Sequence, residues 1–425
     1  MEKLKVGFIG LGGRGTGLIG LTREQTKQDN KVGGLMGNVF GFKDVVVTAV
    51  CDTMIERVER AARLVEAHGD PTPFMTTDYN ELVKQDLDAV IISAAWEVHA
   101  EIANACMEAG IAVGLEVGGA YDIQSCWDMV DCYERTKTPF MFLENCCYYK
   151  DELLATSLVR NGVLGKVSYC QGSYCHDLRK EIADGIFTHH YRLRNYLSRN
   201  CENYPTHELG PIAKILNINR GNRLVSLVSM ASLAQGMEEY IKDHEEYHAE
   251  LLGKKFKQGD VVNTLIKCEN GEMILIKLDT TLPRLYDRNI TVSGTKGFYC
   301  QSTKAVILDN GEFDHETASY SQAFFTDKNY DEYVAEDWKN ITEEQKKAGH
   351  GGMDFIMIKN FFKAIRNGEE MPIDVYDGAL WMSITALSAE SIEKGSVPVD
   401  IPDFTRGQYK HRAPKDVIPI KMIKK

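Results

Sequence analysis

The stretch Val6-Gly7-Phe8-Ile9-Gly10-Leu11-Gly12-Gly13-Arg14-Gly15 decides the fold, because an apolar strand runs straight into glycines at positions 10, 12 and 15. In G-x-G-x-x-G the first glycine makes a tight turn, the second lets backbone approach a pyrophosphate, and the third lets a helix pack on its strand. The phosphates then meet the amide-rich, partly positive start of that helix. With 36 glycines in 425 residues such a pattern also arises by chance, so its surroundings carry the reading. A second strand, Val45-Val46-Val47-Thr48-Ala49-Val50-Cys51, ends in Asp52, placed to accept hydrogen bonds from an adenosine ribose and to repel a 2′-phosphate. NAD is therefore favoured over NADP. The competing reading is that Asp52 caps the helix that follows. From Gly15 to Asp52 is 37 residues, against a usual spacing of about 20. Residues 22–43, polar and then glycine-rich (Gly33-Gly34-Leu35-Met36-Gly37-Asn38), read as a loop inserted in the first crossover.

Composition sets the class. With 44% hydrophobic and 26% charged residues, the chain has the makeup of a globular protein of two or three domains. A net charge of -12 without a long basic block argues against nucleic acid or an anionic membrane and for a small neutral or polar substrate. No apolar run reaches the roughly 18 residues of a membrane span, and a strand beginning by Leu4 leaves no room for a signal peptide, so a cytoplasmic protein is expected. Eleven cysteines, with no C-x-x-C and one adjacent pair at Cys146-Cys147, read as reduced, buried thiols rather than a disulfide framework or structural zinc. The sequons at Asn289 and Asn340 would then stay unmodified.

Beyond Asp52, short apolar strands (88–93, 111–115, 140–143) alternate with amphipathic segments (54–68, 98–109, 123–137), the rhythm of a doubly wound parallel sheet. Ligands of such sheets sit beyond the carboxyl ends of the strands, which singles out Trp96, His99, Glu116, Val117, Glu144 and Asn145. From Tyr148 the rhythm changes to strand-like runs at 167–174, 224–230, 261–267, 273–278 and 289–292, the pattern of an α+β domain with a mainly antiparallel open sheet. Two domains are expected, over residues 1–147 and 148–425, with helices at 351–367 and 376–393, the second returning onto one of the domains. The last thirty residues look extended. An open sheet often pairs with a copy of itself, so a homo-oligomer is expected. The long polar excursion 175–223 holds histidines, arginines and Tyr204-Pro205-Thr206-His207, and a connection of that length is usually functional.

Read together, these residues resemble the Gfo/Idh/MocA oxidoreductases, a Rossmann domain followed by an open-sheet domain, and within them glycoside hydrolase family 109, the NAD-dependent glycosidases that include α-N-acetylgalactosaminidases. The resemblance rests on Trp96-Glu97-Val98-His99, Glu144-Asn145-Cys146-Cys147-Tyr148, Gln171 to Arg179, Tyr204-Pro205-Thr206-His207, Leu216 to Gly221 and His350-Gly351-Gly352-Met353-Asp354, which span most of the chain in order. Ordinary dehydrogenases of the superfamily carry Glu-Lys-Pro after the fifth strand, the lysine moving protons, whereas this chain has Glu116-Val117-Gly118. The glycosidase pattern there is Glu-Val-Pro, so Gly118 departs from it, and Glu208 stands where a glycine is common.

The resemblance implies glycoside cleavage by transient oxidation at sugar carbon 3, loss of the carbon 2 proton, elimination of the carbon 1 substituent, water addition and re-reduction. It places Gly10, Gly12, Arg14, Gly15, Asp52, Trp96, His99, Glu116, Val117, Asn145 and Tyr204 around NAD, and Tyr174, Arg192, Tyr204, Pro205, Thr206, His207 and Tyr286 around the sugar. Bases with near-neutral pKa suit this route, so histidine and tyrosine are its natural residues. His207 with Tyr204 is assigned to the hydroxyl proton at carbon 3 and His176 to the carbon 2 proton, and the exchange of those roles stays open. Each histidine could instead be structural, and Arg192 a surface ion pair. A sugar dehydrogenase and a catalytically silent sugar or NAD sensor are the alternative functions. His244-Glu245-Glu246-Tyr247-His248 satisfies H-E-x-x-H, yet it lies in a highly charged segment without a clear third ligand and reads as a solvated helical face; no metal is expected.

Overall fold

The computed structural model describes residues 2–20, 42–309, 330–346 and 349–423, so the glycine-rich run of the expected insertion lies outside the described residues. The chain forms two compact units, one of Met1–Val117, Gln124–Tyr149 and Glu336–Ala379, the other of Gly118–Ile123, Lys150–Ala335 and Leu380–Lys425. Among the described residues no helix is long and apolar enough to cross a membrane.

In the first unit, β1 (Leu4–Ile9), β2 (Val45–Cys51), β3 (Phe74–Thr76), β4 (Ala89–Ile92), β5 (Ala112–Glu116) and β6 (Phe140–Leu143) form a six-stranded sheet in the order β3-β2-β1-β4-β5-β6. Every pairing is parallel, with Val6 opposite Val47 on one side and Ala89 on the other. A parallel sheet is covered on both faces, which is why β4, β5 and β6 are buried end to end and read as continuous apolar runs. Helix Ile55–Ala67 turns Val58, Ala61, Ala62 and Val65 inward, the i, i+3, i+4, i+7 stripe of an amphipathic helix, with Leu64 beside them. Burying a side chain of that size contributes about 2 kcal/mol. The chain leaves β1 in one direction for β2 and reaches β4 on its other side, so the strand order reverses at the end of β1. That reversal opens a crevice at the glycine stretch.

In the second unit, β7 (Val167–Cys175), β8 (Leu224–Ala231), β9 (Val261–Cys268), β10 (Met273–Asp279), β11 (Thr291–Gly294), β12 (Gly297–Cys300), β13 (Ala305–Leu308) and β14 (Val399–Asp400) form a sheet in the order β13-β12-β11-β7-β10-β9-β8-β14. Only β7 and β10 pair in parallel. Exposure alternates strictly along β9 from Val262, the mark of a sheet packed on one face and open on the other. The packed face is covered by helix Thr206–Ile215, all ten of whose residues are buried. Gly172 in β7 permits that contact, since a Cβ there would lie 2.7 Å from the Cβ of Glu208. The excursion after β7 is largely helical, with Arg179–Ala183, Gly185–Thr188 and Tyr191–Ser198 preceding Thr206–Ile215. The expected extended tail includes β14, which pairs with β8 through Val399 and Leu227.

Candidate active site

At the nucleotide crevice the glycines play distinct parts. Gly10 has φ +89°, and a Cβ on it would lie 2.4 Å from the amide nitrogen of Ala94; one on Gly15 would lie 2.0 Å from the carbonyl oxygen of Gly10. Gly12 and Gly13, at the start of helix Gly13–Ile19, face open space within 4 Å of where their Cβ atoms would stand. Closed contacts at the turn and an open face at the helix start are what a pyrophosphate requires. Asp52 accepts from the amide of Leu11 at 2.7 Å and from that of Met54 at 3.0 Å. Its carboxylate thus ties the glycine loop to the turn that leads into helix Ile55–Ala67.

Trp96 opens a short turn after β4, and His99 begins helix His99–Glu108. His99 is fully enclosed, and burial pushes its imidazole down to about 4, so it is neutral. Its Nε2 lies 3.0 Å from the carbonyl of Ala94 and must carry the proton, because a carbonyl only accepts. Nδ1 is thereby left as an acceptor, buried and without a hydrogen-bond partner among the described residues. An orphan acceptor beside an open glycine turn fits a polar ligand such as the dinucleotide.

The ends of β5 and β6 complete this half. Arg14 donates through Nη2 to Glu116 Oε1 at 2.8 Å and through Nη1 to Asp354 Oδ2 at 2.6 Å, with a second contact to Asp354 Oδ1 at 3.2 Å. Asn145 Nδ2 donates to Asp354 Oδ1 at 2.7 Å, and His350 Nδ1 lies 2.9 Å from Asp354 Oδ2. Burial alone would raise the Asp354 carboxyl, but Arg14 and His350 hold it well below the usual range. Burial likewise works against the Arg14 charge, and Asp354 and Glu116 more than offset it. Val117, next to Glu116, is buried and has no polar side chain to offer. Asp354 was not singled out by sequence reasoning; the signal available was its place in the quoted His350-Gly351-Gly352-Met353-Asp354 run.

In the second unit the residues assigned to the sugar come together as a cluster of rings. The rings of Tyr174 and Tyr204 are 4.5 Å apart, Tyr204 and His207 4.7 Å, Tyr174 and His207 5.4 Å, and His176 and Tyr286 5.0 Å. Tyr204 Oη is 3.4 Å from His207 Nε2, and Tyr174 Oη is 3.2 Å from His176 Nδ1. Tyr174 lies in β7 and His176 just beyond its end, two residues apart and on one side. Pro205 caps the helix that presents His207, and Thr206 is wholly buried in its first turn. The guanidinium of Arg192 lies 5.1 Å from the Tyr204 ring centre, and Nη1 donates to Glu181 at 3.0 Å. Arg192 is thus an ion pair, but a buried one, 7% exposed. Burial and the neighbouring Arg192 push His176 below an ordinary imidazole, while burial raises the Tyr174 phenol, so His176 is neutral and Tyr174 keeps its proton.

Sequence reasoning passed over two side chains that hold this cluster. Arg288 Nη1 donates to the hydroxyl of Tyr286 at 3.1 Å, and its Nε is paired with the buried Glu152 at 2.6 Å. The H-E-x-x-H run does not form the single solvated face expected of it. The helix Gly236–Asp243 ends before His244, whose Nδ1 meets the Tyr240 carbonyl at 2.8 Å, while His248 is buried 3.6 Å from Asp184.

A parallel nucleotide-binding sheet followed by an open mixed sheet is the architecture of the NAD-binding Gfo/Idh/MocA oxidoreductases, and the profile described as "Oxidoreductase family, NAD-binding Rossmann fold" matches residues 4–143. The profile of the glycosyl hydrolase 109 C-terminal domain matches residues 148–411. Similar proteins include an α-N-acetylgalactosaminidase of Tannerella forsythia, 35% identical over 97% of this chain and 88% of that protein. An α-N-acetylgalactosaminidase of Shewanella oneidensis is 35% identical over 98% of this chain and 88% of its own length. Among solved structures, levoglucosan dehydrogenase in complex with NADH and levoglucosan shares the fold, with a TM-score of 0.65 at 19% identity over 94% of this chain and all of that one. The chain belongs to glycosyl hydrolase family 109 and is an NAD-dependent glycoside hydrolase.

Proposed function

We propose that this enzyme cleaves α-N-acetylgalactosaminides or related hexosides by transient oxidation at carbon 3, and that the ring cluster of the second unit handles the protons. The observation that carries the reading is the chemistry of that cluster, in which two phenol–imidazole pairs, Tyr204 with His207 and Tyr174 with His176, stand beside Arg192 and Tyr286. The two relatives named as α-N-acetylgalactosaminidases support the sugar. NAD+, held at the glycine crevice, would supply the hydride acceptor for carbon 3 and, once reduced, the donor for its re-reduction. Tyr204 and His207 take the proton of the carbon 3 hydroxyl, the phenol passing its own to Nε2 of the imidazole. His176 takes the carbon 2 proton, now acidified by the adjoining ketone, and the bond from carbon 1 to the leaving oxygen breaks as the double bond forms. For Nε2 to be the accepting atom, Nδ1 of His176 must carry its hydrogen toward the Tyr174 oxygen. Water then adds its hydroxyl at carbon 1 while its proton goes to the departed oxygen, His176 delivers a proton exchanged with solvent to carbon 2, and reduction restores the carbon 3 alcohol. Arg192, Thr206, Pro205 and Tyr286 shape the sugar site, and Gly10, Gly12, Arg14, Gly15, Asp52, Trp96, His99, Glu116, Val117 and Asn145 hold the cofactor.

The test is turnover of nitrophenyl α-N-acetylgalactosaminide with catalytic NAD+. Release of aglycone without accumulation of NADH supports the proposal, whereas NADH formed in step with product would make the protein a sugar dehydrogenase. Binding of NAD+ without release of aglycone from any of a panel of α- and β-linked sugars would make it a sensor.

Two further points belong to the same proposal. The open face of the second sheet sets Leu265 between Val228 and Leu275, with Met230 and Met273 exposed nearby, and an apolar face of this kind suits pairing with a second copy of the chain. Light scattering should report a dimer or larger, and a monomer would refute this. Eleven free, buried thiols suit a reducing compartment, so we place the enzyme in the cytoplasm, which cell fractionation checks.

A further inference from the structure

We infer that Asp354 is a positioning residue of the cofactor site, fixing residues from three separate segments as one body. The inference rests on the NAD-dependent reading. Arg14 comes from the glycine loop, Glu116 from the end of β5 and Asn145 from the turn after β6, and each is assigned above to the cofactor. Their polar atoms converge on one carboxylate: Asp354 receives both terminal nitrogens of Arg14, at 2.6 and 3.2 Å, and the amide of Asn145 at 2.7 Å. Glu116 joins through the shared guanidinium at 2.8 Å. The Asp354 and Glu116 side chains are each 6% exposed.

Geometry and charge give the carboxylate its task. Arg14 opens the helix Gly13–Ile19 beside Gly12 and Gly13, which face open space and bring no side chain of their own to that helix start. A bidentate guanidinium–carboxylate contact fixes both the position and the plane of the arginine. Asp354 lies in the first turn of helix Met353–Asn367, 340 residues from Arg14 in the chain, so the glycine loop is anchored to a regular element of the same unit. His350, on the turn before that helix, takes the outer side of the carboxylate at 2.9 Å. Removing the charge of Asp354 while keeping its shape leaves Glu116 as the one carboxylate on Arg14, with His350 Nδ1 3.3 Å from Nη1, and trades the bidentate charged tie between the loop and the helix for a single neutral acceptor.

The experiment uses the full-length enzyme and measures NAD+ affinity by equilibrium titration, alongside the NAD retained per subunit after dialysis. Asp354→Asn is expected to weaken NAD+ binding by roughly tenfold or more, as is Arg14→Met. Because Asp354 shares its contact with Arg14, the losses of Asp354→Asn and Arg14→Met should fall short of multiplying in the double variant, whose remaining extra loss runs through Asn145; a residue that merely supports folding would multiply in full. If Asp354→Asn does not fold, Asp354→Glu carries the test, since it keeps the charge but displaces the guanidinium, and a loss of about threefold or more is expected. Wild-type affinity in whichever of these variants folds, or losses that multiply in the double variant, would overturn the inference. Wild-type enzyme that binds no NAD+ would overturn the cofactor reading and this inference with it; wild-type binding beside an unaffected variant overturns this one alone.

Discussion

Arg288 sets the position of Tyr286 in the ring cluster. Its guanidinium is fixed by buried Glu152, which also accepts from Gln301 at 3.0 Å, and it donates to the Tyr286 hydroxyl at 3.1 Å. Arg288→Met would leave the Glu152 charge uncompensated, at a cost of about 3–5 kcal/mol seen in thermal unfolding. Arg288→Lys keeps a charge but not the fork, so it should raise KM several-fold with a smaller effect on kcat, as expected when a wall of the sugar site moves and the proton-handling groups do not. At the same scale, burial and Arg192 hold His176 below an ordinary imidazole. A base acts in its neutral form, so the acid limb of kcat/KM should lie below the ~6.5 of a free imidazole, and Arg192→Gln should move it upward. A limb at or above that value in the wild type would count against His176 as the base.

Helix Thr206–Ile215 brings His207 into the cluster, and its closeness to β7 depends on Gly172. A methyl group there would meet the Cβ of Glu208 at 2.7 Å and its carbonyl at 3.1 Å, so the helix must move. Gly172→Ala should cost ~1–3 kcal/mol of stability and lower kcat through His207, without changing NAD+ affinity. Equal losses in NAD+ binding would show that the helix does not act on the ring cluster alone. How much of each element was legible varies with its physics. The strands β4, β5 and β6 are buried end to end and β1 and β2 over most of their length, so their apolar runs announce them. β12, β13 and β14 are two to four residues long and hold their place by pairing: Gly294 and Gly297 close a tight turn, and Val399 joins β8 from a distant segment. No local pattern records such pairing.

For the whole molecule, the residues proposed for the chemistry were easier to find than those that hold them. Tyr174, His176, Tyr204 and His207 sit in short motifs, and the structure gathers their rings within 4.5 to 5.8 Å of one another along the Tyr204 and Tyr174 contacts. Asp354, Glu152 and Arg288 act through contacts between segments far apart in the chain, and spacing along a sequence does not encode them. The interleaving of the first unit has the same cause, since Glu336–Ala379 joins Met1–Val117 through tertiary packing. The central claim is that oxidation of the sugar makes its neighbouring carbon acidic enough for imidazole or phenol to act. It is tested most directly by turning over an α-N-acetylgalactosaminide in deuterium oxide and reading the proton spectrum of the released sugar. Deuterium at carbon 2 is the predicted result; product released with its original hydrogen at that carbon would contradict the account.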